Sequence, residues 1–193
     1  MKRGAILVTG GNSGIGYECV RRLARERVPI IIASRDRAAS AAAVQRVQDE
    51  TGNKDVSEMG LDLGSLAAIR AFAQEIAERD VTFRAVVCNA GLQTSGKKVV
   101  LSTDGFERTF AVNHLGHFLL VNLLLRRLAA NPPARVMVVA SGVHDPKLGP
   151  ACRSPTSATS TCWRRAADRK RTASTRGSRT STASSATSGS PTS

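Results

Sequence analysis

The chain has 193 residues and a formal net charge of +13, a length for one domain with a sizeable core provided that the whole chain contributes to it. Composition divides it: residues 1–150 carry 20 basic and 14 acidic side chains, whereas the last 43 residues hold 20 Ser or Thr, eight Arg or Lys, one acid and no Leu, Ile, Val, Phe, Met or Tyr. Residues 151–193 therefore cannot bury enough apolar surface to offset the entropy of ordering them, and read as a disordered basic tail with at most weak, unselective polyanion binding and no specific nucleic-acid recognition.

In residues 1–150 strands and helices alternate. Ala5–Thr9 is a short apolar strand that runs into a glycine loop, and Ile15–Glu26 follows as a helix. Val28–Ala33 is a β-branched strand, and the Ala-, Gln- and Arg-rich stretch Arg37–Glu50 is a helix. A weaker strand over Asp55–Leu61 precedes a helix over Ser65–Arg79, whose Leu66, Ile69, Phe72, Ala73 and Ile76 recur at helical spacing. Arg84–Cys88 is the fourth strand. The loop Leu92–Leu101 leads to one long helix from about Asp104 to Ala130, Pro132-Pro133 stops it, and Arg135–Ala140 is a fifth strand. Apolar residues run on through the strands instead of alternating, which implies burial on both faces and a doubly wound parallel α/β sheet of the Rossmann type.

Thr9-Gly10-Gly11-Asn12-Ser13-Gly14-Ile15-Gly16 lies directly between a strand and a helix. In that context glycines give a tight turn and a close backbone approach, and the helix N-terminus offers free N–H groups to a pyrophosphate. A Gly-Lys-Ser/Thr ending is lacking, which argues against a nucleoside triphosphate. The second strand ends Ala33-Ser34-Arg35-Asp36. A carboxylate at that end would take the ribose hydroxyls of NAD; a serine followed by an arginine instead suits the 2′-phosphate of NADP, so NADP is the expected cofactor and NAD the second choice. His114 and His117 stand three apart but lack a third ligand in sequence, and no metal is expected. Cys19, Cys88, Cys152 and Cys162 have neither metal-like nor redox-like spacing. A strand starting almost at Met1 leaves no room for a leader, and Phe118–Leu125 is too short for a membrane span, which makes the cytoplasm the default expectation.

These residues together resemble the short-chain dehydrogenase/reductase family, and within it the retinol dehydrogenase and protochlorophyllide reductase branch. The segment Thr9–Gly16 matches the family's Thr-Gly-x-x-x-Gly-x-Gly, Asp62-Leu63 the pair beside the adenine, and Asn89-Ala90-Gly91 the turn after the fourth strand. Thr103–Glu107 with Phe110–Leu120 is similar to the branch's long helix, Ser141 falls at the family's serine, and His144 where the branch often has a histidine. The resemblance implies reversible hydride transfer between NADP(H) and a small-molecule carbonyl or alcohol. It places Gly10, Ser13, Gly14, Ile15 and Gly16 at the pyrophosphate and Arg35 at the 2′-phosphate. Asp62 and Leu63 fall at the adenine, and Asn89, Ala90 and Gly91 at the ribose and nicotinamide. Ser141 would bond the substrate oxygen, and Asn113 would hold a relay water.

The family also needs a tyrosine and a lysine, Tyr-x-x-x-Lys, beyond the serine: the tyrosine moves the proton on the substrate oxygen and the ammonium lowers its pKa from about 10. The one tyrosine here is Tyr17, in the first helix, and only Lys147 and Lys170 follow Ser141. The expected organisation is thus a truncated domain over 1–150 followed by the tail, with two explanations of the change near residue 150: a shift of reading frame in a GC-rich gene, or a genuine extension. The rival to an active reductase is a dinucleotide-binding fragment without turnover. Family members often pair through their fourth and fifth helices, and the absence of the later one puts oligomerisation in doubt.

Overall fold

A computed structural model describes residues 4–93 and 99–141, all within the unit Met1–Ser154. The proposed tail, His144, Lys147, Lys170, Cys152 and Cys162 lie outside the described residues.

Five parallel strands, β1 (Ala5–Thr9), β2 (Ile30–Ser34), β3 (Val56–Gly60), β4 (Phe83–Cys88) and β5 (Arg135–Val138), form one sheet in the order β3-β2-β1-β4-β5. The helices α1 (Gly14–Ala24), α2 (Arg37–Thr51) and α3 (Leu66–Glu78) alternate with the first four strands. The sheet is wound outward in both directions from β1, and its order reverses between β1 and β4. At such a reversal the loops leaving neighbouring strand ends diverge and open a crevice.

β1 and β2 are buried throughout because their alternate side chains feed two different cores. Leu7, Ile31, Phe83 and Val86 point to the layer that holds α3 and the later helix, against Ile69, Phe72, Leu120 and Leu124. Ile6, Val8, Ile30 and Ile32 point to the other, against Val20, Ala24, Ala43 and Val47 of α1 and α2. Asp36 caps α2, its Oδ1 accepting from the Ala39 N–H at 2.9 Å, and Ser65 caps α3 through Ala68.

The long helix differs from the uniform one expected. It starts at Arg108 behind a Glu107 cap and runs as α4 (Arg108–Phe110), a π-helical turn (Ala111–Leu115) and α5 (Gly116–Ala129). Residues 104–107 instead form a loop whose Asp104 carboxylate accepts from the Leu66 N–H at the start of α3. β5 ends at Val138, two residues earlier than expected, and is exposed along its length.

Candidate nucleotide site

The carboxyl ends of β1, β2 and β4 surround a cleft of about 520 Å³, within the size range of small-molecule sites. Gly10, Ser13, Ile15 and Gly16 form one wall, Ser34, Arg35 and Asp36 one end, Asp62 and Leu63 the side next to β3, and Asn89, Ala90 and Gly91 the opposite side. Ten of the thirteen residues named from sequence thus meet at one opening. Gly14, Asn113 and Ser141 are the three outside its lining.

The glycine turn is shaped by the backbone. Gly10 and Gly14 have φ of +64° and +56°, in the left-handed region where a Cβ is costly. A Cβ on Gly16 would run into the Gly10 carbonyl oxygen and the Asn89 amide, whereas one on Gly14 would meet nothing within 4 Å. The first α1 turn therefore sits hard against β1 and β4, while the Gly14 side opens outward. Ser13 stands at the α1 N-cap with no side-chain bond to the helix, so the first-turn N–H groups have no cap from its side chain.

At the β2 end, the Ser34 hydroxyl donates to the Asp36 carbonyl at 3.0 Å and lies 2.6 Å from the Ser40 hydroxyl. The nearby acid, Asp36, is engaged in capping α2. Arg35 projects from the surface, whereas Arg37 is bound by Glu58 at 2.8 Å. At the β3 end, Asp62 folds back on its own turn by accepting from the Gly64 N–H at 2.8 Å.

The side next to β4 is held from two directions. Thr9, fully buried, accepts from the Asn89 and Ala90 N–H groups, each at 3.0 Å, and Asn89 Nδ2 donates back to the Thr9 and Gly10 carbonyls. Asn113, inside the π-helical turn, clamps the next residue: its Oδ1 accepts from the Leu92 N–H and its Nδ2 donates to the Leu92 carbonyl, both at 2.8 Å. Ser141 lies exposed three residues past the end of β5.

The two histidines part company. His114 lies against the Phe110 ring with centroids 5.3 Å apart, while His117 is buried with Nε2 2.9 Å from the Thr9 hydroxyl. Burial pushes the His117 pKa below the usual value, against a weaker upward pull from its backbone bond to Asn113. Sequence reasoning missed this contact, although His117 shares the helical spacing of the buried Leu120, Leu124 and Leu128, a signal that it faces inward. Tyr17 is turned to α2: its hydroxyl donates to Glu50 at 3.1 Å, Arg46 lies over its ring, and burial and Glu50 raise its pKa. That shift is opposite to what a proton donor near neutrality needs. Burial likewise pushes the Cys88 thiol up to about 11, leaving it protonated.

The family model for short chain dehydrogenases matches residues 4–151. The chain belongs to the short-chain dehydrogenase family. It is 42% identical over 139 residues to the WW domain-containing oxidoreductase of Gallus gallus and to retinol dehydrogenase 13 of Homo sapiens, covering 72% of this chain but 33% and 41% of those proteins. Among solved structures it resembles the short-chain dehydrogenase from Sphingobium yanoikuyae in complex with NADPH, with a TM-score of 0.66 at 26% identity over 81% of this chain and 60% of that one. The chain thus spans about a third to two fifths of these two curated relatives. Among the described residues no helix is long and apolar enough to cross a membrane, and no group of three or more metal-ligating side chains is present.

Proposed function

We propose that this short-chain dehydrogenase is an oxidoreductase that exchanges hydride between NADP(H) and a small-molecule carbonyl or alcohol, and that the cleft at the β1, β2 and β4 ends is its nucleotide site. The observation that carries the reading is the convergence of the glycine turn, the β2 end and the Asn89–Gly91 turn at the place where the sheet order reverses. The residues fit the group: the outward-facing Gly14 and the first turn of α1 suit a pyrophosphate. Arg35 is exposed beside a strand end that carries Ser34 in place of a carboxylate, which favours a 2′-phosphate over a bare ribose. Asp62 and Leu63 would flank the adenine, Asn89, Ala90 and Gly91 the nicotinamide side, and the nucleotide when bound supplies or takes the hydride. Ser141 would hydrogen-bond the substrate oxygen and Asn113 would hold a relay water. The domain would occupy 1–150, with 151–193 as a separate tail, and the default location is the cytoplasm.

A second reading rests on Tyr17. The single tyrosine of these 193 residues is engaged by Glu50 and is absent from the cleft lining, so the chain on its own would bind nucleotide without turnover. Titration of NADPH fluorescence and an assay of carbonyl-dependent NADPH oxidation separate the readings. Arg35→Ala is expected to weaken NADPH about tenfold, the worth of one charge-assisted contact, and to leave NADH unchanged. Equal effects on both nucleotides would reject the 2′-phosphate assignment. NADPH binding with no carbonyl-dependent oxidation would favour the second reading.

A further inference from the structure

His117 is a buried titratable side chain that the proposed chemistry does not use, and among the described residues it is the buried one with a hydrogen-bond partner on each side of its ring. Only 6% of it is exposed, and both ring nitrogens have partners: Nδ1 lies 3.3 Å from the Asn113 carbonyl oxygen and Nε2 2.9 Å from Thr9 Oγ1. A carbonyl only accepts, so the Asn113 bond requires a hydrogen on Nδ1. A neutral ring with that hydrogen presents a bare lone pair on Nε2, which accepts the Thr9 hydroxyl hydrogen. The two lone pairs of the Thr9 oxygen are then left for the two N–H groups that approach it, those of Asn89 and Ala90. The opposite tautomer fails twice. It sets the Nδ1 lone pair against the Asn113 carbonyl, and it asks the Thr9 oxygen to accept three hydrogens while its own goes to the Val87 carbonyl at 3.3 Å.

We propose that His117 is a positioning residue for the nucleotide cleft: as the neutral Nδ1–H tautomer it orients the Thr9 hydroxyl toward the Asn89 and Ala90 amides and ties it to the helix turn that carries Asn113. The cleft wall next to β4 is held by Thr9 from within the sheet and by Asn113 from the helix, and His117 bonds to both holders. It is not among the residues that line the cleft, so it acts through the two holders.

The test uses the full chain labelled with 15N-histidine. Long-range proton–nitrogen spectra at neutral pH are expected to show His117 with a protonated Nδ1 and an unprotonated Nε2; a proton on Nε2 overturns the proposal. His117→Gln retains an acceptor within reach of Thr9, whereas His117→Asn, being shorter, retains only the bond toward Asn113. Amide exchange at Asn89 and Ala90 is therefore expected to be about tenfold faster in H117N than in H117Q, the loss of one buried hydrogen bond. Equal exchange in the two variants would mean that the Val87 carbonyl takes the Thr9 hydrogen at no cost, and would overturn the positioning role. These arms need no ligand. The third rests on the nucleotide reading: NADPH affinity should follow the same order, with H117Q near the parent chain and H117N weaker. A parent chain that fails to bind NADPH refutes that reading and leaves the tautomer and exchange results to decide the role of His117. If H117N does not fold, the tautomer decides alone.

Discussion

β1 and the segment around β5 carry similar words, Ala-Ile-Leu-Val over 5–8 and Val-Met-Val-Val over 136–139, and meet opposite fates. Leu7 in β1 is wholly buried while Val138 in β5 is 68% exposed, because β1 has a strand on each side and a helical layer on each face, whereas β5 pairs only with β4 among the described residues. A continuous apolar run therefore tells what a strand can pack against, while its burial depends on which layers are there to cover it. The cleft inherits the same asymmetry: its glycine, β2 and β4 walls rest on buried strands, and Ser141 follows the exposed one.

The contrast can be broken or sharpened by substitution. Leu7→Ala should cost about 3 kcal/mol, the transfer and cavity terms of a large core side chain, measured by urea unfolding at constant slope. Gly16→Ala should cost about 2 kcal/mol by over-packing and also weaken NADPH, since the new methyl meets the Gly10 carbonyl and the Asn89 amide; a variant as stable as its parent would show that α1 can slide away from the sheet. A third effect is pH-dependent. Burial holds the folded His117 below its ordinary value of 6.5, so the unfolded chain takes the proton first. Its contribution is full above that value and declines as pH falls below it toward the folded pKa, by at most about 1.4 kcal/mol per unit. Stability against pH for the parent and for H117Q should differ in slope in that window; parallel curves would contradict the burial effect. Val138→Ala should sit at the small end, within about 0.5 kcal/mol, the usual range for surface substitutions. A loss comparable to that of Leu7→Ala would reveal that β5 is covered in solution.

The sheet and its helices were legible because strands and helices carry their own apolar patterns, and Pro132-Pro133 stops the last helix. The glycine turn and Arg35 were legible from local signatures at strand ends, whereas Asp62, Leu63, Asn89, Ala90 and Gly91 were reached through the family resemblance. What lay beyond reach was relational. Nothing in the order Asn113-His114-Leu115-Gly116-His117 announces a π-helical turn, which coincides with the close approach of Gly116 to the Leu63 carbonyl and the bonds of Asn113 to Leu92, partners many residues away. The link from Thr9 to His117 spans 108 residues, and a pattern read along the chain gives the inward face of a helix without the name of its partner. The exposure of β5 is not written in its own apolar run; it was expected only through the resemblance, since without the strands that the family adds after the fifth that strand would be an exposed edge.

The π-helical turn has a consequence for how this region can change in length. A helix that closes one ring with an extra residue, Gly116 N–H to the Ala111 carbonyl, stores an insertion locally, so that the elements before and after it keep their angular register. Removing one residue between 111 and 115 would tighten the turn to an ordinary helix and leave Leu120, Leu124 and Leu128 facing the core, while Asn113 lost its place opposite Leu92. Length variation at this spot is thus nearly silent to the scaffold and loud at the cleft, which makes the segment a place where the binding wall can be altered independently of the fold that supports it.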